Sequence, residues 1–248
     1  MILEYHRPQN ISDAIWLLSR KDVTTIPLAG GTTFQQIPEG VSVVDLQSLG
    51  LNLINIQSGY AELGSMLTFQ QVMNWENAPE IMRQAVYRGA TYNQRNQVTI
   101  GGAVASTNSF SPLLAALLAL DAKLTWQPNE IVINLGEWYP LKKSLKPGKL
   151  ITSIGVPINI QSTMQIISRT PADHPQILAC GCRWSSGRTR IVVMIKECAP
   201  VLLSDGRGEK GLENSIINIE CNDQNYSREY VENSLKVLIR RVLKCLDE

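Results

Sequence analysis

The sequence predicts a protein of mixed helices and strands that folds in more than one part. Its 248 residues suffice for one large hydrophobic core or for two or three smaller ones, since domains usually contain roughly 100 to 200 residues. Apolar residues at helical spacing and short strand-like runs bounded by Gly and Pro both occur along the chain. A Gly-Gly pair occurs twice, in PLAGGTTF at 27–34 and in VTIGGAVAST at 98–107.

The first fifty residues predict a small α/β unit. Ser12 is expected to cap a helix that runs to about residue 19, because the apolar residues that follow it recur at helical spacing. Strands are expected at 24–29 and 41–46. The first of these strands runs directly into a glycine pair, so a glycine turn is expected at a strand end.

The rest of the chain carries start and stop signals for further elements. Thr68 and Gln71 predict a capping box for a helix through residue 75, and Ser111-Pro112 predicts the start of a buried helix that continues to residue 120. Other helices are expected at 79–88 and 227–246. Further strands are expected on both sides of the turn at 58–59 and at 122–126, 130–134, 150–156, 177–184 and 190–196.

Composition and charge argue against several classes of protein. The 23 Lys and Arg residues nearly balance the 22 Asp and Glu residues, and the net charge of +1 provides no global field for nucleic acid or an anionic membrane. No apolar run approaches the ~20 residues of a membrane span, and the first residues lack a signal-peptide pattern, so we expect a cytoplasmic protein. Five cysteines without a CxxC pair and two separate histidines predict incidental thiols, no disulfide framework and no metal site.

Both glycine pairs are expected in loops at the ends of strands, and they are interpreted as the walls of a phosphate or pyrophosphate site. Glycine allows a positive φ and lets a ligand approach the backbone closely. Successive backbone N–H groups bind anions without a lysine, and the helix that starts at Pro112 is expected to add its positive end. Tight turns without a ligand are the alternative interpretation. The GxGxxG match at 206–211 is interpreted as a surface loop, because it carries exposed charges and no long apolar helix follows.

Three stretches together resemble a known family. They are the opening at 4–18, the stretch PLAGGT at 27–32 and the stretch RNQVTIGG at 95–102. In this order and spacing they resemble the FAD-binding subunit, or middle domain, of molybdenum hydroxylases such as xanthine dehydrogenase and aerobic carbon monoxide dehydrogenase. The resemblance implies an α+β fold with a two-part FAD-binding domain of the vanillyl-alcohol-oxidase (PCMH) type at 1–160, divided at about residue 52. A small C-terminal α+β domain of the CO dehydrogenase flavoprotein type is implied at 161–248.

The resemblance also implies an oxidoreductase subunit that is active only with partner subunits. In this family a large molybdopterin subunit hydroxylates the substrate, a small iron–sulfur subunit relays the electrons, and FAD passes them to NAD or another acceptor. Such a subunit has no catalytic residue of its own, and the sequence shows no Ser/His/Asp or Cys/His constellation. Some members of the wider superfamily attach flavin through a His after the glycine pair, so Thr32 implies non-covalent FAD.

The cofactor-binding residues are implied position by position. The first wall of the FAD site would consist of Leu28, Ala29, Gly30, Gly31, Thr32, Thr33 and Phe34. The second wall would consist of Thr99, Ile100, Gly101, Gly102, Ser106, Thr107 and Ser111. Ile151 is implied as an apolar contact of the isoalloxazine ring, and Arg169 as a charged residue near the flavin.

Two positions depart from the family pattern and leave alternatives open. The family usually has Asn where this chain has Ala103, and Asp where it has Pro112. Each lost hydrogen bond to the cofactor would be worth about 0.5–1.5 kcal/mol. One alternative is therefore a structural subunit of the same complex that has lost FAD. Another is a free-standing flavoenzyme such as the enolpyruvyl reductase of cell-wall synthesis.

Overall fold

The computed structural model describes residues 2–32, 39–106, 111–141, 147–170, 173–196, 198–207 and 226–248. The chain forms two compact units, and each is assembled from separate segments. The first unit contains Met1–Val72, Tyr92–Ser106 and Asp121–Val156. The second contains Met73–Thr91, Thr107–Leu120 and Pro157–Glu248. The domain limits expected near residues 52 and 160 stay predictions.

The first unit contains two sheets. A parallel sheet has the strand order β1-β3-β2, from β1 (Glu4–His6), β2 (Thr25–Leu28) and β3 (Ser42–Asp45). The other sheet has the order β4-β5-β8-β6-β7, from β4 (Ile54–Gln57), β5 (Tyr60–Gly64), β6 (Lys123–Gln127), β7 (Ile131–Asn134) and β8 (Leu150–Pro157). The expected strands of this region are thus confirmed, whereas β1 was not predicted.

The first unit also contains helices between its strands. They are α1 (Ile11–Leu18), the start of α2 (Phe69–Asn74), α4 (Tyr92–Arg95), α5 (Ile100–Ser106) and α7 (Leu135–Leu141). The N-cap of α1 is Asn10, whose Oδ1 accepts the Asp13 N–H at 2.8 Å, so the cap predicted at Ser12 was wrong by two positions. The capping box of α2 is confirmed, because the Thr68 N–H donates to Gln71 Oε1 at 2.8 Å and the Gln71 N–H donates to Thr68 Oγ1 at 3.2 Å.

The second unit is an antiparallel sheet covered by helices. The strand order is β12-β11-β10-β9, from β9 (Gln161–Ile167), β10 (Ile177–Arg183), β11 (Arg188–Ile195) and β12 (Val201–Arg207). The helices of this unit include α3 (Glu80–Gly89), α6 (Pro112–Ala119) and α8 (Arg228–Asp247). Every residue of α6 is buried, as its apolar sequence predicted. The final helix begins after Ser227, whose hydroxyl accepts the Tyr230 N–H at 3.2 Å.

The core of the second unit lies between α8 and the sheet. Leu235, Leu238 and Val242 of α8 are fully buried against residues such as Ile177 and Ala179. Gly181 lets the helix approach, because a Cβ there would overlap Val242 Cγ1 and lie 3.0 Å from Leu246 Cδ1. In the described part of the chain, no helix is long and apolar enough to cross a membrane.

The cysteines differ from one another in state. Cys180 and Cys182 are buried free thiols, and burial raises the pKa of both. Cys245 is an exposed free thiol. Cys198 is disulfide-bonded, which corrects the expectation of incidental thiols alone.

Candidate functional site

The first glycine pair lies where the sequence placed it, at the end of strand β2. Leu28 ends the strand, and its carbonyl accepts the Leu46 N–H at 3.0 Å, which fixes the start of the turn to the neighbouring strand. Gly31 has φ +69°, a conformation that favours glycine. Two residues predicted for this wall, Thr33 and Phe34, lie outside the described residues.

The turn after Leu28 presents backbone donors. No described residue accepts a hydrogen bond from the N–H groups of Gly30, Gly31 or Thr32. Gly31 and Thr32 are exposed, and Gly30 is partly exposed. Successive N–H groups of this kind suit an anionic ligand such as a phosphate group.

The second glycine pair does not lie at a strand end, which corrects the sequence-based interpretation. Gly101 and Gly102 lie in the first turn of helix α5, and Thr99 makes only an isolated β-bridge with Thr68. The Thr99 side chain is buried, and its Oγ1 accepts the Gly102 N–H at 3.1 Å. Thr99 is therefore the N-cap of this helix.

The amide donors at the start of α5 are already used within the protein. A helix normally leaves its first N–H groups without an intrahelical partner. Here the donor and acceptor pairs are Ile100 N–H to Leu67 O at 2.9 Å, Gly101 N–H to Ser65 O at 2.9 Å, Gly102 N–H to Thr99 Oγ1 at 3.1 Å and Ala103 N–H to Thr99 O at 2.9 Å. Among the described residues of the two glycine pairs, the N–H donors without an acceptor therefore lie in the first glycine segment (27–32) and not in the second (95–102).

The two segments meet through backbone atoms. A Cβ on Gly30 would overlap the carbonyl oxygen of Gln97 and lie 2.7 Å from its carbonyl carbon. Ala29 Cβ lies 3.8 Å from the position that a Cβ on Gly102 would take. The structure thus brings the turn after β2 against the chain that enters α5.

A buried carboxylate lies in register with the last residue of β2. Asp45 pairs with Leu28 across the parallel sheet, and its side chain is almost fully buried. Asp45 Oδ2 accepts the Tyr5 hydroxyl at 2.6 Å, and Oδ1 accepts the Gln47 N–H at 2.9 Å. The hydrogen bond to Asp45 raises the pKa of Tyr5. This carboxylate ties β1 to β3 at the end of the sheet where the glycine turn begins.

The remaining predicted residues lie in different surroundings. Ser106 is on α5, where its hydroxyl donates to Gly102 O at 2.6 Å, and Thr107 lies outside the described residues. Ile151 is buried in β8, in register with Trp126. Ser111 and Arg169 belong to the second unit, where Ser111 caps α6 and Arg169 is exposed after β9.

Sequence reasoning missed two residues that shape the site, Ser65 and Gln97. Both act through backbone atoms that face a glycine, Ser65 at Gly101 and Gln97 at Gly30. Because any residue type supplies the same carbonyl group, no side-chain pattern marks these positions. In the described ranges no three His, Cys, Asp or Glu residues come together as metal ligands.

Comparison with known proteins gives matches in both sequence and fold. The family described as "FAD binding domain in molybdopterin dehydrogenase" matches residues 1–159. The uncharacterised protein YgfM of Escherichia coli K12 is 32% identical over 135 residues, which are 52% of this chain and 51% of that protein. The carbon monoxide dehydrogenase medium chain of Afipia carboxidovorans is 28% identical over 171 residues, which are 62% of this chain and 58% of that one. The matches span about half the length of these curated relatives.

A solved structure with a similar fold covers nearly the whole chain. A chain of carbon monoxide dehydrogenase from Hydrogenophaga pseudoflava, in a form that lacks the Mo-pyranopterin moiety, gives a TM-score of 0.82 at 18% identity. The match covers 99% of this chain and 97% of that one. This likeness confirms the predicted α+β fold.

Proposed function

Because the chain belongs to the family of FAD-binding domains in molybdopterin dehydrogenases, we propose that it binds FAD and transfers electrons as a subunit of a molybdenum hydroxylase complex. The observation that carries this proposal is the contact of the two glycine segments, at Gly30 and Gln97, inside the matched range of 1–159. Bound FAD would supply the redox chemistry, and the protein would bind and orient it.

The described residues fit the diphosphate of a dinucleotide. No described residue accepts a hydrogen bond from the N–H groups of Gly30, Gly31 and Thr32. Because glycine has no side chain, a ligand can approach the backbone closely at the two glycines. Gly102 of α5 is partly exposed and adds no side chain beside Ala29, whereas Gly101 is buried against Ser65. We propose that the first segment donates hydrogen bonds to the diphosphate and that α5 provides a wall.

We propose that FAD is held non-covalently. Thr32, the residue after the first glycine pair, has no ring nitrogen for attachment to a flavin. The two histidines of the chain are engaged elsewhere, since His6 Nε2 lies 2.9 Å from Glu4 Oε2 and His174 Nδ1 lies 3.3 Å from Arg88 O.

The proposed partners are a molybdopterin-binding large subunit and a small iron–sulfur subunit. The similarity to a carbon monoxide dehydrogenase medium chain supports this arrangement. Electrons would reach FAD from the iron–sulfur subunit and leave to NAD or another acceptor. The substrate would be chosen by the large subunit.

Titration of the purified chain with FAD tests the binding step. We expect saturable binding of one FAD per chain, seen as a change in the flavin absorbance spectrum, and release of free FAD on denaturation. If excess FAD leaves the spectrum unchanged, the proposal is wrong, and the alternative of an assembly subunit without FAD takes its place.

Reconstitution tests the electron-transfer step. The chain is co-expressed with its two proposed partner subunits, and the complex is supplied with a reducing substrate of the large subunit. We expect FAD to be reduced in the complex but not in the isolated chain. Oxidation of NADPH by the isolated chain would instead support a free-standing flavoenzyme.

A further inference from the structure

We propose that the N–H donors of the first glycine turn are held in place by the Cα of Gly30, which packs on the Gln97 carbonyl, and by Asn96, a positioning residue that does not contact FAD itself. Gly30 contacts the Gln97 carbonyl. Asn96 stabilises the turn that holds this carbonyl in position. The inference rests on the proposed function, because it concerns how the same FAD site is assembled.

The two adjacent glycines of the first segment have different surroundings. A Cβ on Gly31 would lie 3.7 Å from Leu28 Cδ1, which is an ordinary van der Waals contact. There is space for a side chain at position 31, and glycine is favoured there only because φ is positive. A Cβ on Gly30 would overlap the Gln97 carbonyl oxygen. Gly30 therefore faces the protein backbone, whereas Gly31 is exposed.

The Gln97 carbonyl is presented by a short hydrogen-bonded turn. The Asn96 side-chain amide donates from Nδ2 to the Tyr92 carbonyl at 3.0 Å, where helix α4 begins. The Val98 N–H donates to Gln94 O at 2.8 Å, and the Val98 carbonyl accepts the Phe69 N–H at 2.9 Å. Gln97 is held between these bonds.

The position of the donors depends on this contact. Gly30 is the first of the three residues whose N–H groups are proposed to meet the diphosphate, and its Cα lies against Gln97. A shift of the Gln97 carbonyl, or a Cβ on Gly30, must move the turn. Because hydrogen bonds to a phosphate weaken when donors are misplaced, such a shift weakens FAD binding without removing any ligand contact.

The first experiment compares two Gly to Ala variants of the full chain. In Gly30→Ala the Cβ meets the Gln97 backbone, and we expect the Kd for FAD to rise roughly tenfold or more. Gly181→Ala is the matched control, because its Cβ overlaps Val242 Cγ1 inside the second unit, whereas the proposed diphosphate donors belong to the first unit. The control is expected to lose stability and to keep the FAD affinity of the unchanged chain.

The second experiment stays informative if Gly30→Ala does not fold. Asn96→Asp keeps the shape of the side chain but replaces the donor by a carboxylate that repels the Tyr92 carbonyl, and we expect a Kd about three- to tenfold higher. Asn93→Asp adds the same charge to an exposed side chain of α4 and is expected to bind FAD like the unchanged chain. Asn96→Gln keeps an amide donor and is expected to recover most of the affinity.

The outcomes separate this inference from the proposed function. An unchanged chain that takes up no FAD overturns both. If the unchanged chain binds FAD and Gly30→Ala or Asn96→Asp binds it equally tightly, the positioning role is wrong while the proposed function stands. Equal losses in Asn96→Asp and Asn93→Asp assign the effect to charge and also overturn the role of Asn96.

Discussion

Gly101 packs its Cα directly on Ser65, and the Gly101 N–H donates to the Ser65 carbonyl at 2.9 Å. A Cβ at position 101 would lie 2.5 Å from Ser65 Cβ and 2.8 Å from Ser65 O. The first turn of α5 therefore lies as close to the end of β5 as backbone atoms allow. The glycine serves packing inside the first unit, whatever further role the same helix has toward a ligand.

Gly101→Ala is expected to destabilise the chain by about 1–3 kcal/mol through overpacking, although Ala normally favours a helix over Gly by about 1 kcal/mol. The free energy of unfolding in urea measures the change. Gly206→Ala is the control, because a Cβ there meets no atom of the described residues within 4 Å. A Gly101→Ala chain as stable as the control would contradict the packing argument.

The positive φ of Gly31 predicts an order of stability among its variants. Ala is disfavoured in the left-handed region by about 1–2 kcal/mol, whereas Asn adopts this region more readily. We expect the unchanged chain to be the most stable, Gly31→Asn to be intermediate and Gly31→Ala to be the least stable. Chemical denaturation of the three proteins without FAD checks the order, and equal values for Asn and Ala would refute it.

Ser111 is expected to affect stability through the cap of α6. Its hydroxyl accepts the Leu114 N–H at 3.3 Å, and Ser111→Ala should cost about 1 kcal/mol of unfolding free energy. Ser111→Asp retains an acceptor at the N-cap and should remain close to the unchanged chain. Thermal unfolding distinguishes the two variants. If Ser111→Ala is no less stable than Ser111→Asp, the cap contributes little.

Glu4 is expected to make stability depend on acid pH. Hydrogen bonds from Arg20 and then from His6 lower the pKa of Glu4 from 4.5 to about 2. Since the folded pKa lies below the unfolded value, the stabilisation is present above about pH 4.5 and is lost as the pH falls toward 2.

Comparison of Glu4→Gln with the unchanged chain tests this dependence. The unfolding free energy is measured at intervals across the acid range, and we expect the difference between the two proteins to shrink as the pH falls through that window. Glu76→Gln, which replaces another exposed carboxylate, is the control. If the difference in unfolding free energy between the two proteins stays constant with pH, Glu4 is not the source of the pH dependence.

Local signals in the sequence predicted many of the helix starts and strands. The Thr68–Gln71 capping box and the starts at Ser111 and Ser227 were confirmed. These interactions join residues only three positions apart, so a short window of sequence contains both partners. Three strands, β1, β9 and β12, were missed because their local patterns are weak and their stability comes from pairing with other strands of their sheets.

Helix α5 shows why the second glycine segment was misread. Two adjacent glycines disfavour a helix by roughly 1 kcal/mol each, so the sequence alone favoured a loop. In the structure the first N–H groups of α5 find acceptors at Leu67, Ser65 and Thr99, which stabilise the helix despite its composition. Tertiary contacts thus override the local preference.

The sequence by itself determined that this chain has a glycine turn at the end of a strand and a family's motifs in their usual order, because turns and caps depend on neighbouring residues. The tertiary structure decided what each glycine is for. Gly30 meets Gln97 and Gly101 meets Ser65 through backbone atoms. Such contacts depend on where the folded chain brings distant segments together. Because every residue type has the same backbone carbonyl group, the sequence does not reveal which residues make them.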